Sequence, residues 1–395
     1  MTRVSLAARS TRAGYVPRVA PQPLLDRRGS RIVLGDHGVT KPIVPAADTL
    51  FGPRGVCLAT PKGPLIICDT GHHRLLIWSH APEADNSPAD LVIGQADFSC
   101  EGRNGHRPID AASLNVPTGL AYGGGVLAVA DAWNHRVLLW HGLPGASNRP
   151  ADIVLGQSDD LSGDANRGMS TPRADTLNWC YGVMIHQRRL FVADSGNRRV
   201  LVWDHIPIAH GAPADLVLGQ CEFTTRDDRA DLCGGAAGMR WPHGIAFAGD
   251  RLFVADAGLN RVMIWNSVPT RNGQPCDDVL GQPDFNGRDH NHGSYHPTAL
   301  SLNMPYGVTV QGTTVAVADT ANSRLLGFDL NSLRTGCAAV RLAAQSSFDN
   351  KGDNGWGSVA RDRLCWPYAV ASCNNTLAIA DSGNNRVLLW EAECP

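Results

Sequence analysis

Residues 128–140 read AVADAWNHRVLLW: an alternating apolar run ending at Asp131, a short polar turn, and a second apolar run. Five other segments align with it without gaps: IICDTGHHRLLIW (66–78), FVADSGNRRVLVW (191–203), FVADAGLNRVMIW (253–265), AVADTANSRLLGF (316–328) and AIADSGNNRVLLW (378–390). Their aspartates, which are Asp69, Asp131, Asp194, Asp256, Asp319 and Asp381, follow one another at intervals of 62 or 63 residues. So regular a period indicates a repeat architecture.

Each repeat contains four predicted strands. The first follows a P-x-G pattern, as in Pro305-Tyr306-Gly307, and the second ends at the aspartate. A turn rich in Gly, Asn and Ser leads into the third strand, which is typical of a hairpin. The fourth is a short apolar segment before Gly-Gln, as in Val154-Leu155-Gly156-Gln157. Four antiparallel strands in six copies predict an all-β, closed six-bladed β-propeller.

The sixth repeat needs a fourth strand from elsewhere in the chain. The segment Arg31-Ile32-Val33-Leu34-Gly35 matches the missing strand, so we expect it to complete the sixth blade and close the ring. The predicted organisation is a basic arm at residues 1–29 and one propeller at residues 30–395. The arm carries six arginines against Asp26, and it fits either a disordered tail or a segment that orders on an acidic partner.

The D-x-x-N-x-R-V hairpin, seen as Asp131-Ala132-Trp133-Asn134-His135-Arg136-Val137, resembles the NHL-repeat family over residues 30–395. Two departures are small: the fourth repeat carries its asparagine one place late, at Asn260, and the fifth ends in Phe328 instead of Trp. The resemblance implies a propeller of four-stranded blades. It implies no single activity, since NHL-type propellers include amidating lyases with a metal on channel histidines and also RNA-binding proteins.

An aspartate and an arginine five residues apart face each other in every hairpin. Six copies of one pair favour architecture over catalysis, so we predict cross-hairpin ion pairs. The residues are Asp69 with Arg74, Asp131 with Arg136, Asp194 with Arg199, Asp256 with Arg261, Asp319 with Arg324, and Asp381 with Arg386.

The residue before the glycine of the first strand, or before Ala369 in the sixth repeat, should lie at the mouth of the central channel. These positions are Arg54, Thr118, Tyr181, His243, Tyr306 and Tyr368, and Trp179, Trp241, Met304 and Trp366 stand two places earlier in four blades. Such a mixed ring could bind an anionic or aromatic group, or it could line a hydrated channel. With one histidine and no carboxylate, it lacks the ligands that the resemblance to metal-dependent lyases and calcium-dependent lactonase-like propellers implies.

Five long loops connect the outermost strand of one blade to the innermost strand of the next. They cover residues 96–114, 158–177, 221–239, 283–302 and 346–363, and they should all emerge on one face. Candidate binding residues on this face are Arg103, Arg167, Arg229 and Arg288. Their loops mix acidic and basic residues, which is not typical of a nucleic-acid-binding surface.

Histidines His290, His292 and His296 lie close together on the fourth long loop, and their spacing is compatible with a divalent metal. We assign no cofactor beyond that divalent-metal candidate. His72 and His73 lie in a hairpin turn and are expected to face solvent.

The composition sets the remaining limits. A formal net charge of −2 gives no case for nucleic acid or an anionic membrane, and no apolar run is long enough to cross a bilayer. Eleven cysteines, none in a CxxC pair, favour free thiols in a reducing compartment. We therefore expect a soluble cytoplasmic protein.

The sequence favours a non-catalytic scaffold or accessory component that binds a protein partner through the long-loop face. The alternative is a channel-centred, lyase-like enzyme with or without a metal, or a small-ligand binder that uses the ring at the channel mouth.

Overall fold

The computed structural model describes residues 20–35, 43–227 and 235–393. Its strands form six sheets, five with four strands and one with five. The prediction of an all-β six-bladed propeller is confirmed. No helix in these residues is both long and apolar enough to cross a membrane.

The strands are listed here in chain order: β1 Gln22–Pro23, β2 Ile32–Leu34, β3 Gly55–Leu58, β4 Leu65–Asp69, β5 Arg74–Trp78, β6 Leu91–Ile93, β7 Pro117–Gly123, β8 Val126–Asp131, β9 Arg136–His141, β10 Ile153–Leu155, β11 Cys180–His186, β12 Arg189–Asp194, β13 Arg199–Trp203, β14 Leu216–Leu218, β15 Pro242–Ala248, β16 Arg251–Asp256, β17 Arg261–Trp265, β18 Asp278–Leu280, β19 Pro305–Gln311, β20 Thr314–Asp319, β21 Arg324–Asp329, β22 Arg341–Ala343, β23 Pro367–Cys373, β24 Thr376–Asp381 and β25 Arg386–Glu391. Blades 1 to 5 contain β3–β6, β7–β10, β11–β14, β15–β18 and β19–β22, and blade 6 contains β23–β25 with β2.

Single 3₁₀ turns occupy the hairpins, and the long loops contain short 3₁₀ segments interrupted by two residues of left-handed backbone. The hairpin turns are Thr70–His72, Ala132–Asn134, Ser195–Asn197, Ala257–Leu259, Thr320–Asn322 and Ser382–Asn384. Those of the described loops are Arg103–His106, Ala165–Gly168, His290–Gly293 and Asp353–Trp356.

The hydrophobic core lies between the blades, one apolar layer for each neighbouring pair. Ile66 and Leu75 of blade 1, for example, pack with Val129 and Leu138 of blade 2. Because the second and third strands are covered on both faces, they are apolar at almost every position, as in Leu65–Asp69 and Arg74–Trp78. The ionisable residues at their ends are therefore buried with them.

The N-terminal segment closes the ring. Strand β2 pairs antiparallel with β25, with Ile32 opposite Leu389 and Leu34 opposite Val387. This confirms the predicted closure of the sixth blade. Strand β1 adds a parallel fifth strand to blade 5, with Gln22 opposite Arg341.

Residues 22–31 also replace a loop that blade 6 lacks. In blades 1 to 4, the tryptophan at the end of the third strand donates its indole N–H to a carbonyl nine residues on, as Trp140 does to Arg149 at 3.1 Å. Trp390 donates instead to the Asp26 carbonyl, at 2.8 Å. Leu24 and Leu25 are buried beside it. The described part of the predicted arm, residues 20–29, thus packs on blades 5 and 6, and residues 1–19 lie outside the described residues.

Two opposite faces follow from the strand order. Pro117, where β7 begins, pairs with Asp131, where β8 ends. The channel mouth, the hairpin turns and the long loops therefore lie on one side of the propeller, which we call the loop face. The turns between first and second strands, and those between third and fourth strands, form the rear face.

Candidate functional site

Five of the six predicted mouth residues stand on innermost strands, at local irregularities, and Arg54 directly precedes β3. In blades 2 to 6 the pairing between first and second strands shifts register at this position, between Pro117 and Leu120 in blade 2. Such a bulge leaves a residue unpaired and changes the direction of its side chain. The irregularity thus lets residues of adjacent blades meet around the channel axis.

In five blades a glycine follows the mouth residue and permits close approach of the neighbouring blade, whereas Ala369 follows Tyr368 in blade 6. A Cβ on Gly119 would lie 2.3 Å from the Tyr181 carbonyl oxygen, and one on Gly182 would lie 1.9 Å from that of His243. Neither distance is sterically allowed. Glycine is therefore required by packing at these two positions, where it lets adjacent blades bring their mouth residues together.

Five of the six mouth side chains form a closed ring, which we call the mouth ring. Ring centroids are 4.2 Å apart for Tyr181 and His243, 4.3 Å for His243 and Tyr306, and 4.6 Å for the stacked Tyr306 and Tyr368. The Arg54 guanidinium lies 4.8 Å from the centre of the Tyr368 ring, and its Nη1 donates to the Tyr181 hydroxyl at 2.5 Å.

The sixth position, Thr118, is small and buried. Its hydroxyl donates to the Tyr181 carbonyl at 2.9 Å, so it secures the backbone beside the ring. Arg54 can therefore reach past Thr118 to the hydroxyl of Tyr181.

Arg54 is the charged member of the mouth ring at neutral pH. Burial lowers the pKa of His243 to about 3, so its imidazole is neutral. The His243 Nδ1 lies 2.8 Å from the Trp241 carbonyl, which can only accept, so Nδ1 carries the proton. Burial raises the pKa values of Tyr181 and Tyr306, which keeps both phenols protonated.

The channel behind the ring is a cavity of about 410 Å³. Its middle is lined by aliphatic side chains such as Leu120, Val183 and Ile245, and at its far end His186 stacks on Phe247 at 3.9 Å. No aspartate or glutamate is among the described residues that line it. The cavity has one arginine at the mouth and an interior lined by both aliphatic and polar side chains, the latter including Thr309 and Ser372.

Three exposed tryptophans border the mouth. Trp179, Trp241 and Trp366 lie two residues before their mouth residues, on blades 3, 4 and 6, and are between 38% and 51% exposed. We call this set the tryptophan crescent. The edge of Trp179 contacts Tyr181, with ring centroids 5.6 Å apart, so the crescent is continuous with the mouth ring.

Hairpin side chains hold two crescent residues in place from the neighbouring blade. The backbone N–H of Trp179 donates to His135 Nδ1 at 2.8 Å, and the backbone N–H of Trp366 donates to Ser323 Oγ at 3.2 Å. Both tryptophans have left-handed backbones, with φ of 53° and 52°. Val116 and Met304, at the equivalent positions of blades 2 and 5, share this conformation, so it belongs to the repeat.

The six Asp–Arg pairs serve the architecture of the loop face. Asp131 Oδ1 accepts the Asn115 N–H at 2.6 Å, and Oδ2 accepts Arg136 Nε at 2.8 Å. Arg136 also donates to the carbonyls of Asp160 and Ser113, in the loops after and before its blade. The other pairs have Oδ2–Nε distances of 2.7–3.2 Å, and all twelve side chains are buried: Asp69, Arg74, Asp131, Arg136, Asp194, Arg199, Asp256, Arg261, Asp319, Arg324, Asp381 and Arg386.

The asparagine and glutamine of the repeat also anchor loops, which sequence reasoning missed. Asn134 donates to Asn104 of the preceding loop at 2.8 Å. Gln157, after the glycine of the fourth strand, donates to the His135 carbonyl at 3.1 Å and to the Asp164 carbonyl at 2.9 Å. Their recurrence at fixed offsets was the available signal.

The expectation that His72 and His73 face solvent is wrong. His72 is fully buried, and its Nδ1 lies 2.8 Å from Asp69 Oδ2, in the place that Asn134 occupies in blade 2. His73 Nδ1 accepts the N–H of Val116 at 3.0 Å. His72 thus stands where blade 2 carries a smaller asparagine, while His73 accepts a backbone N–H as His135 does in blade 2.

The remaining candidates are dispersed. His292 Nε2 donates to the Gly281 carbonyl at 3.1 Å, while His290 and His296 are exposed. In residues 20–35, 43–227 and 235–393, no three His, Cys, Asp or Glu side chains are placed to hold a metal. The metal site stays a prediction.

The loop-face arginines are placed differently from one another. Arg167 is tied to Asp175 at 2.6 Å within its own loop, whereas Arg103 and Arg288 are exposed. Arg229 lies outside the described residues. Of the three described arginines, Arg167 is thus paired within its own loop while Arg103 and Arg288 are exposed.

No protein-family model matches the sequence, and no curated protein matches it either. Similar solved structures include the gluconolactonase XC5397 from Xanthomonas campestris, with a TM-score of 0.48 and 12% identity over 95% of this chain and 99% of that one. A nidogen/laminin complex matches with a TM-score of 0.41 and 15% identity, over 71% and 76% of the two chains. The designed protein Ika8 matches with a TM-score of 0.39 and 10% identity, over 92% and 99%. Likenesses this distant carry no argument about function.

Proposed function

We propose that this chain is an NHL-type propeller that acts as a non-catalytic interaction component, binding a partner protein through its loop face. The supporting observation is the distribution of its ten tryptophans. Five are buried at the ends of third strands: Trp78, Trp140, Trp203, Trp265 and Trp390. The five exposed ones are Trp133, Trp179, Trp241, Trp356 and Trp366, and all five lie on the loop face.

Exposed tryptophan on one face is typical of a binding surface. Tryptophan is enriched at the centres of protein interfaces, where truncating it often costs more than 2 kcal/mol of binding free energy. The crescent adds rigidity, because the neighbouring blade holds the backbones of Trp179 and Trp366. A surface ordered before binding loses little entropy when a partner docks.

Mixed charges near the crescent favour a protein over a nucleic acid. On the second loop, Arg167 and Arg173 both pair with Asp175. Arginines neutralised in this way contribute little to phosphate binding. The nine described cysteines are free thiols, five of them buried, which agrees with the proposed cytoplasmic location.

The lyase-like alternative has less support. Its resemblance implies several metal-binding histidines in the channel, whereas the mouth ring has His243 alone, with Nδ1 already bonded to a carbonyl. Of the two channel-centred alternatives, an enzyme and a ligand binder, only ligand binding at Arg54 is supported by an observation.

The test is affinity capture with the full chain, followed by measurement of the dissociation constant with the purified partner. Combining Trp179→Ala, Trp241→Ala and Trp366→Ala should weaken binding at least 100-fold, because the interface loses its apolar centre. The matched control is Ile208→Ala, since Ile208 is the most exposed large apolar side chain among the described residues and lies on the rear face. Unchanged affinity in the folded triple variant, or an equal loss in the control, would contradict the proposal.

A further inference from the structure

Arg54 differs from the hairpin arginines in its partners. Arg136 donates to a carboxylate and to backbone carbonyls of two loops. In the described parts of the chain, the Arg54 side chain makes a single hydrogen bond, to the Tyr181 hydroxyl, and has no carboxylate within 4.0 Å. A guanidinium carries five N–H donors, so most of those on Arg54 are available to a ligand.

The surroundings of Arg54 leave its charge uncompensated. The mouth ring contains no carboxylate, its one imidazole is neutral, and no described acidic residue lines the channel. Partly screened from water, this cation should attract an anion more strongly than an exposed arginine would.

The aromatic rings would by themselves suggest a ligand of the opposite charge. Aromatic faces attract cations, but here the Tyr368 face is already covered by the Arg54 guanidinium. A cationic ligand would meet like charge. Tyr368 and Tyr181 instead hold the guanidinium in one orientation, which suits a planar, bidentate anion.

We propose that the channel mouth is a carboxylate-binding site, in which Arg54 binds the carboxylate and the tryptophan crescent packs against the apolar or aromatic group that carries it. This deepens the proposed function and rests on it, because it assigns to the partner a carboxylate inserted at the channel axis. The carboxylate can come from a chain terminus or from an acidic side chain.

Small probes test the site without the partner. N-acetylphenylalanine carries a terminal carboxylate, N-acetylaspartylphenylalaninamide a side-chain carboxylate, and N-acetylphenylalaninamide neither. Calorimetry and tryptophan fluorescence on the full chain should show that at least one carboxylate binds about tenfold more tightly than the amide, as expected for a charge-assisted hydrogen bond. The tighter of the two identifies the source. Equal binding of amide and carboxylates, or equal competition by inorganic phosphate, would overturn the proposal.

Variants separate the site from the fold. Arg54→Gln should abolish the tenfold preference, and Arg54→Lys should retain part of it, because the charge stays but the planar fork is lost. Tyr181→Phe removes the hydroxyl that holds Arg54 and should reduce the preference several-fold, which keeps the proposal testable if Arg54→Gln fails to fold. A preference unchanged in all three variants would overturn it.

The two proposals can fail independently. If the triple tryptophan variant still binds the partner while the probes show an Arg54-dependent preference, the partner surface is elsewhere and the carboxylate site stands. If partner binding needs the crescent but the probes show no preference, the interface stands and the carboxylate site is refuted.

Discussion

Two sets of six positions on the same face behave in opposite ways. The Asp–Arg pairs are chemically identical in all six blades and buried, with each Arg Nε bonded to its aspartate. The mouth positions are occupied by an arginine, a threonine, a histidine and three tyrosines. The repeated Asp–Arg pairs hold the blades and loops together, and we call the six blades with these pairs the frame. The varied mouth residues make the centre of this symmetric frame chemically asymmetric.

The two sets are nevertheless physically linked. The hairpin of one blade supplies the side chain that bonds the backbone just before the mouth residue of the next, as His135 does for Trp179. Position in the mouth ring is thus set by the repeated frame, and only the side-chain identity is free to vary. Four predictions test this division, from the largest expected effect to the smallest.

The frame should depend most on its N-terminal piece. Deleting residues 1–35 removes β1 and β2, exposes the edge of β25, and leaves the apolar layer around Ile32 and Leu34 open. We expect a loss of more than about 5 kcal/mol in unfolding free energy, or aggregation.

Shorter deletions grade this effect. Deleting residues 1–29 should give an intermediate loss, because Leu24 and Leu25 go but β2 stays. Deleting residues 1–19 should leave the melting temperature unchanged. Similar melting temperatures for all three truncations would refute the role of this segment.

An arginine of the frame should matter more to stability than the arginine of the ring. Arg199→Ala leaves Asp194 buried and unpaired, so urea unfolding should show a loss of about 3–5 kcal/mol. Arg54→Ala removes one hydrogen bond from a half-buried side chain and should cost about 1 kcal/mol or less. Equal losses would erase the distinction between frame and ring.

The ring should make stability depend on acid through His243. Its folded pKa of about 3 lies below the unfolded value of about 6.5, so the unfolded chain binds a proton first as pH falls. Stability should therefore be complete above pH 6.5 and decline towards pH 3, by roughly 2–3 kcal/mol at pH 4.5.

His243→Phe tests that dependence, since it removes the titrating group and should flatten the decline between pH 7 and 4.5 in urea titrations. His205→Phe, at an exposed histidine on the rear face, is the control. A wild-type slope in the His243→Phe variant would contradict the assignment.

The smallest expected change in stability concerns a position where one blade lacks the glycine that follows the fourth strand. Ala344 has φ of 70° where five blades carry glycine. Ala344→Gly should relieve the left-handed strain and raise the unfolding free energy by about 0.5–1 kcal/mol.

The reverse change in another blade is the control. Gly156→Ala should destabilise, because its Cβ would lie 2.7 Å from Leu177 Cδ1 and its φ is 90°. Thermal unfolding of both variants should give shifts of opposite sign, and shifts of the same sign would show that the two sites are not equivalent.

The sequence repeat allowed the fold to be predicted. A period of 62 or 63 residues and the hairpin motif gave blade number and strand order, and the RIVLG segment gave the closure. Nothing in the sequence indicated that part of residues 1–29 packs on the propeller, because a two-residue strand and the contacts of Leu24 and Leu25 leave no periodic signal. The predicted exposure of His72 was wrong because a position in a hairpin turn does not show whether another loop packs over that turn.

By itself, then, the sequence determined everything that depends on local periodicity: four strands per repeat, six repeats, and six positions that meet at one channel mouth. Tertiary structure decided which of those side chains touch, because contacts across blades join residues more than 60 positions apart whose geometry depends on the bulges and glycines between them. It decided that the imidazole of His243 is buried and neutral while Arg54 keeps its charge without a carboxylate partner in the described chain. Burial and charge compensation are properties of the assembled ring, and no single repeat contains them.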